Sequence, residues 1–217
     1  METFANRAHL DMGLTVGATL KRLAMDLQPV YASGSEILLV KPHTATKNIF
    51  LHMPLLEELV CSYDVADYFP HPPPNLKRLA MTFQDMTETH LDFCFSTSTL
   101  ETLFFLRPEL SAGSIDELFA RYRGRHLDIV LVDVNANHVT PERARDWNDD
   151  TDHVTIWEAD VPKSYYGDDE DDVVLCDGWM WSHGVQGTLW TQEKRRMTEW
   201  RVIEGRLAAL YDVMQLD

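Results

Sequence analysis

The chain has 217 residues, 45% hydrophobic and 25% charged, which is the make-up of an ordinary globular protein and not of a disordered or fibrous one. Nineteen Lys and Arg stand against 35 Asp and Glu, a formal net charge of −16 that argues against general electrostatic affinity for nucleic acid or an anionic membrane. Three cysteines, Cys61, Cys94 and Cys176, are too few and too scattered for a disulfide scaffold or a zinc ribbon, and they point to a reducing compartment, the cytoplasm or nucleus.

Residues 1–17 mix Glu2, Asn6, Arg7, His9 and Asp11 among apolar positions, so this N-terminal lead-in offers no secretory h-region. No stretch of the sequence approaches the roughly 18 uncharged apolar residues of a membrane-spanning helix. From residue 18 the chain repeats itself. Leu20-Lys21-Arg22-Leu23-Ala24-Met25 recurs unchanged as Leu76-Lys77-Arg78-Leu79-Ala80-Met81. The looser phrase Leu-x-x-Leu-x-apolar returns at Leu56, Leu59 and Cys61, at Leu100, Leu103 and Phe105, and more weakly at Leu127, Val130 and Val132. Except after the first unit, the spacing suits a leucine-rich repeat, in which the fourth and sixth residues point inward from a short strand and a polar ninth residue bonds the turn backbone. That ninth position holds Gln28, Asp64, Gln84, Pro108 and Asn135. Between units, Ser114 and Glu117 form a capping box that predicts a helix over 115–123, and His71-Pro72-Pro73-Pro74 predicts an extended connector into a strand at Leu76.

On phrases such as Leu51-His52-Met53-Pro54-Leu55-Leu56-Glu57-Glu58-Leu59 and Pro74-Asn75-Leu76-Lys77-Arg78-Leu79, residues 18–135 resemble the leucine-rich-repeat portion of fungal F-box-type proteins. The resemblance implies a cytoplasmic or nuclear receptor whose repeats bind a ubiquitin-ligase substrate. Residues 1–17 show no Leu-Pro opening and leave no room for a three-helix F-box, so recruitment of a ligase is not carried over and the implied role is recognition alone.

Past Asn135 the character changes. Thirteen acidic residues stand against Arg143, Arg145 and Lys163 between Pro141 and Asp177. The run Asp168-Asp169-Glu170-Asp171-Asp172 lacks the ligand order of an EF-hand and reads as a solvated loop, while His153-Val154-Thr155-Ile156-Trp157 and Val173-Val174-Leu175-Cys176 read as short strands. Met197, Trp200, Ile203, Leu207, Leu210 and Met214 mark one apolar stripe of a closing helix over 192–214. Ser182-His183 sits beside Trp179 and Trp181 without a nucleophile elbow, and Gly178-Trp179-Met180-Trp181 reads as an aromatic wedge.

The predicted fold class is therefore α/β: a lead-in over 1–17, a short irregular leucine-rich-repeat solenoid over 18–140, and an acidic C-terminal cap with a terminal amphipathic helix over 141–217. Strand alternation that buries Leu79 and Met81 turns Arg78 and Thr82 outward, and the same register in the next units gives Thr102, Phe104 and Leu106, then Ile129 and Leu131. These seven residues form the expected partner-binding face. Its apolar part must be covered either by a protein partner or by the chain's own segment 179–190. The expected function is non-catalytic recognition of a protein by a monomer, with no catalytic residue, metal or cofactor. The alternative is a metal-dependent or hydrolytic enzyme using the acidic and Trp/His C-terminal region.

Overall fold

The computed structural model describes residues 15–25, 48–63, 65–66, 69, 71–82, 87–106, 121–133, 153–162 and 175–197. Seven strands form one sheet in chain order: β1 (Arg22–Met25), β2 (Glu58–Cys61), β3 (Arg78–Thr82), β4 (Thr102–Leu106), β5 (Leu127–Val132), β6 (Val154–Ala159) and β7 (Arg195–Arg196). The first six are parallel, and β7 closes antiparallel on β6. Among the described residues they are accompanied by helices α1 (Glu88–Phe95) and α2 (Leu175–Gln186), with short 3-10 turns at Ile49–His52 and Leu189–Thr191. No helix among the described residues is long and apolar enough to cross a membrane.

The repeated phrases set the register. Leu23, Leu59, Leu79 and Leu103 lie side by side across β1 to β4, followed by Met25, Cys61, Met81 and Phe105. These side chains point to one face, where they meet Phe50, Leu91, Phe93 and Tyr122 in the larger core. Phe50 joins the Phe69 and Phe93 rings at 5.2 and 6.4 Å, and the Tyr122 hydroxyl donates to the Leu100 carbonyl at 3.1 Å, so the buried phenol keeps a partner. Helix α1 starts on a capping box in which the Thr87 backbone N–H donates to His90 Nδ1 at 3.3 Å, and it buries Leu91, Phe93 and Cys94 against this face.

The sheet has a second core on its other face, built from Val60, Ala80, Phe104, Val130 and Val132 with Trp179, Met180 and Leu189 laid over them. That two-sided burial and the antiparallel β7 overturn the expected leucine-rich-repeat solenoid. The arrangement is a mostly parallel, α/β-like sheet packed on both faces. The physical reason lies in the strands themselves: β2 to β5 are apolar at successive positions, the mark of strands buried on both faces, and such strands must be covered twice. A solenoid leaves one face open.

Local expectations divide in the same way. His153 to Trp157 does lead into a strand, β6, but Leu175 and Cys176 open helix α2 and not a strand. Arg195 and Arg196 are extended, so the predicted 192–214 helix does not begin where the apolar stripe suggested; residues 198–214 lie outside the described residues. The 115–123 helix lies outside them too, except that Arg121 is helical and Tyr122 and Arg123 are not. All five ninth positions, Gln28, Asp64, Gln84, Pro108 and Asn135, lie outside the described residues, as does the run 168–172.

Candidate interaction face

On the second face the register lines up two rows. Arg22, Glu58, Arg78, Thr102, Asp128 and Thr155 form a polar border at the strand N-termini, and Ala24, Val60, Ala80, Phe104, Val130 and Trp157 form an apolar row next to it. Just before the border run Lys21, Glu57, Lys77 and Glu101, brought together by backbone bonds from Glu57 to Lys21, Lys77 to Glu57 and Glu101 to Lys77 at 2.8 to 2.9 Å. Charge therefore alternates in sign from strand to strand. Lys77 Nζ donates to Glu57 Oε1 at 2.9 Å and Arg78 Nη1 to Glu58 Oε1 at 2.9 Å. The Lys77 hydrogen bond and charge hold the Glu57 carboxyl below its usual range, and Glu57 holds Lys77 above its own.

The apolar row is covered by α2 and the segment after it. Helix α2 comes close because residue 184 is glycine: a Cβ there would stand 2.9 and 3.1 Å from the two methyls of Val60. The helix ends in a Schellman arrangement, with Gly187 N–H on the Gly184 carbonyl at 3.1 Å and Thr188 N–H on the His183 carbonyl at 2.9 Å. Gly187 has φ +75°, which glycine adopts without strain, and its missing side chain leaves room for the Arg22 guanidinium. The chain then runs alongside the border and touches it at Glu58 and Asp128. Trp190 Nε1 donates to Glu58 Oε2 at 3.0 Å while its ring stands edge-on to Phe104 at 5.5 Å. Lys194 Nζ donates to Asp128 Oδ2 at 3.1 Å and lies 4.4 Å from the centre of the Trp157 ring. Arg195 donates from Nε to the buried Glu158 at 3.0 Å and forks onto Asp160 at 2.7 and 2.8 Å.

Asp128 sits at the centre of this fastening. Burial pushes its carboxyl up, but the Trp157 indole, Lys194 and His126 outweigh burial and bring it below the ordinary aspartate value. Arg195 moves further above its usual range, chiefly through its Asp160 hydrogen bonds and with Glu158 adding to them.

Of the seven residues expected to bind a partner, Phe104 and Leu106 are 2% and 1% exposed under the chain's own 179–190 segment, so of the two coverings the sequence allows, the chain itself supplies this one. Thr82 is buried as well. Ile129 and Leu131 correct the expected face, since they lie in the larger core on the opposite side. The cause is a slip of one residue: Ile129, not Val130, pairs with Leu103, and a strand's period of two sends every side chain of a slipped unit to the wrong face. Arg78 and Thr102 remain partly exposed on the border. Sequence reasoning missed the fastening residues Asp128, Glu158, Lys194 and Arg195, although the acidic and basic pairs beside successive leucines carried a signal for the ladder.

The residues read for chemistry have structural work. His183 Nδ1 lies 2.7 Å from Thr188 Oγ1 and 3.2 Å from Gln192 Nε2, while Ser182 Oγ accepts from Gln186 Nε2 at 3.0 Å. The two neighbours thus engage different partners at the end of α2. Cys61 and Cys94 are fully buried, with Cys94 Sγ 3.5 Å from Met81 Sδ, and burial pushes both thiols well up. Among the described residues no group of three or more His, Cys, Asp or Glu side chains could hold a metal ion. No protein-family model, curated protein or solved structure matches the chain.

Proposed function

We propose that the protein is a non-catalytic recognition module that binds another protein as a monomer in the cytoplasm or nucleus, along the charged border of the sheet, with Arg78 and Thr102 at its middle. The observation that carries this reading is the row of alternating charges held in strand register by β1 to β4. Side chains spaced by a sheet present a rigid pattern, and matching such a pattern gives specificity and steering more than raw affinity. The likeness of the Leu-x-x-Leu phrases to the substrate-binding part of F-box-type proteins supports the same reading, with a ubiquitin-ligase substrate as the class of partner.

Affinity capture from native extract tests it. Wild type is run beside an Arg78→Ala, Thr102→Lys double variant whose melting temperature is checked first. One or a few proteins held by wild type and lost by the variant, then bound directly by the purified chain, are the expected result. Identical captures by both forms would refute the border as the recognition surface.

A further inference from the structure

We propose that the outer edge of β1 accepts an extended acidic segment of a partner protein as one more parallel strand, with the partner's acidic pair set beside Lys21 and Arg22. This inference rests on the recognition reading and names a surface and a partner chemistry for it.

Three observations converge on this edge. The first is the backbone. The carbonyl of Lys21 accepts from Glu57 and Glu58, and that of Met25 accepts from Ser62. Because N–H and C=O groups alternate sides along a strand, Arg22 and Ala24 turn theirs away from β2, and among the described residues no strand pairs with that side. At the sheet's other end the closing strand β7 has only two residues, both arginines, a short charged strand of the kind that discourages further pairing.

The second is charge. Basic and acidic pairs alternate from Lys21-Arg22 to Glu57-Glu58 to Lys77-Arg78, but the acidic pair is spent on one side only. Glu57 bonds Lys77, and Glu58 bonds Arg78 and Trp190. Lys21 and Arg22 have no ion pair among the described residues. An acidic pair arriving on the free side would continue the alternation by one strand.

The third is apolar surface. Leu23 and Met25 are only partly buried, whereas Leu59 and Cys61 beside them are fully buried. Gly17 packs against His52 and Met53, which brings Val16, 44% exposed, to the same end of the sheet as Leu51 and Leu55, 69% and 48% exposed. A strand reading acidic-acidic-Leu-Val would set its Leu beside Leu23 as β2 sets Leu59 from the other side, and an apolar residue after it would reach Met25 as Cys61 does. Strand addition of this kind takes its affinity from main-chain bonds and its specificity from alternate side chains.

Fluorescence anisotropy with the full chain and a labelled peptide containing Leu-Glu-Glu-Leu-Val, the order of residues 56–60, tests the proposal against a Leu-Lys-Lys-Leu-Val control. The acidic peptide is expected to bind saturably and about tenfold more tightly than the basic one, the effect of two cross-strand charge pairs. A Lys21→Glu, Arg22→Glu variant is expected to reverse that preference. Ala24→Pro, which removes an outward N–H at an edge, is expected to abolish binding of both peptides; if this variant does not fold, the charge reversal alone decides. No saturable binding, or binding indifferent to the charge reversal, would overturn the proposal, and so would self-association of the chain that the reversal abolishes, because a second copy would then own the edge. Partners captured through Arg78 and Thr102 with no peptide binding would remove the β1 edge and leave the recognition reading standing.

Discussion

The seating of α2 on the sheet depends on Gly184, and replacing it with alanine sets two effects against each other. Alanine in place of glycine within a helix favours the helix by about 1 kcal/mol. The new methyl would stand 2.9 and 3.1 Å from Val60 Cγ2 and Cγ1, the fixed methyls of a β-branched residue on β2, and overpacking of this kind costs about 1–3 kcal/mol. The net expectation is a loss of about 1 kcal/mol, or about 2–4 °C in melting temperature for a chain of this size. Val60→Ala alone removes two buried methyls and costs about 2 kcal/mol. In that background the obstruction is gone, so Gly184→Ala is expected to stabilise by about 1 kcal/mol, which makes the coupling between the two sites about 2 kcal/mol. Urea unfolding of the four proteins, followed by the fluorescence of the six tryptophans, measures the cycle. If Gly184→Ala stabilises both backgrounds equally, α2 does not rest on Val60 and the account of the covered face fails.

Because both faces are buried, Leu131→Asp is expected to destabilise as severely as Phe104→Asp, each by more than about 3 kcal/mol, and a Leu131 variant that melts like wild type would show that β5 carries the slipped register after all. Asp128 titrates below its ordinary value in the folded chain, so its contribution is complete above about pH 4 and is lost as pH falls through the lowered value. Lys194→Met is therefore expected to lower stability at pH 7 while flattening the acid limb of a pH-stability curve, and an unchanged limb would count against the Asp128 fastening. Cys61 and Cys94 are expected to react with a thiol reagent only as fast as the protein opens, at a rate that rises with urea alongside the unfolded fraction. Fast labelling of either in the native state would contradict their burial.

Much of the sheet was legible. Leu23, Leu59, Leu79 and Leu103 repeat at one place in a recurring phrase, and a parallel sheet sets equal places of successive phrases side by side. The charged pairs before those leucines carried the border as well, since Glu-Glu between two Lys-Arg pairs sets opposite charges on neighbouring strands. The fifth unit failed because Leu127, Val130 and Val132 match the phrase better than the true register, which puts His126 in the place of the leading leucine. In Leu127-Asp128-Ile129-Val130-Leu131-Val132 apolar residues occupy both faces, and periodicity cannot choose between them. The Trp-rich stretch was ambiguous for a related reason. Its apolar residues declare that they must be buried, and nothing local says against what.

The strands, their order and one buried face are properties of the repeating phrase, because each depends on residues a few places apart and on a rule that repeats. The second face is different. Trp190 meets Glu58 and Phe104, and Lys194 meets Asp128, across long separations in the chain that no local pattern encodes. Only the folded chain could decide that the apolar row would be closed by its own helix.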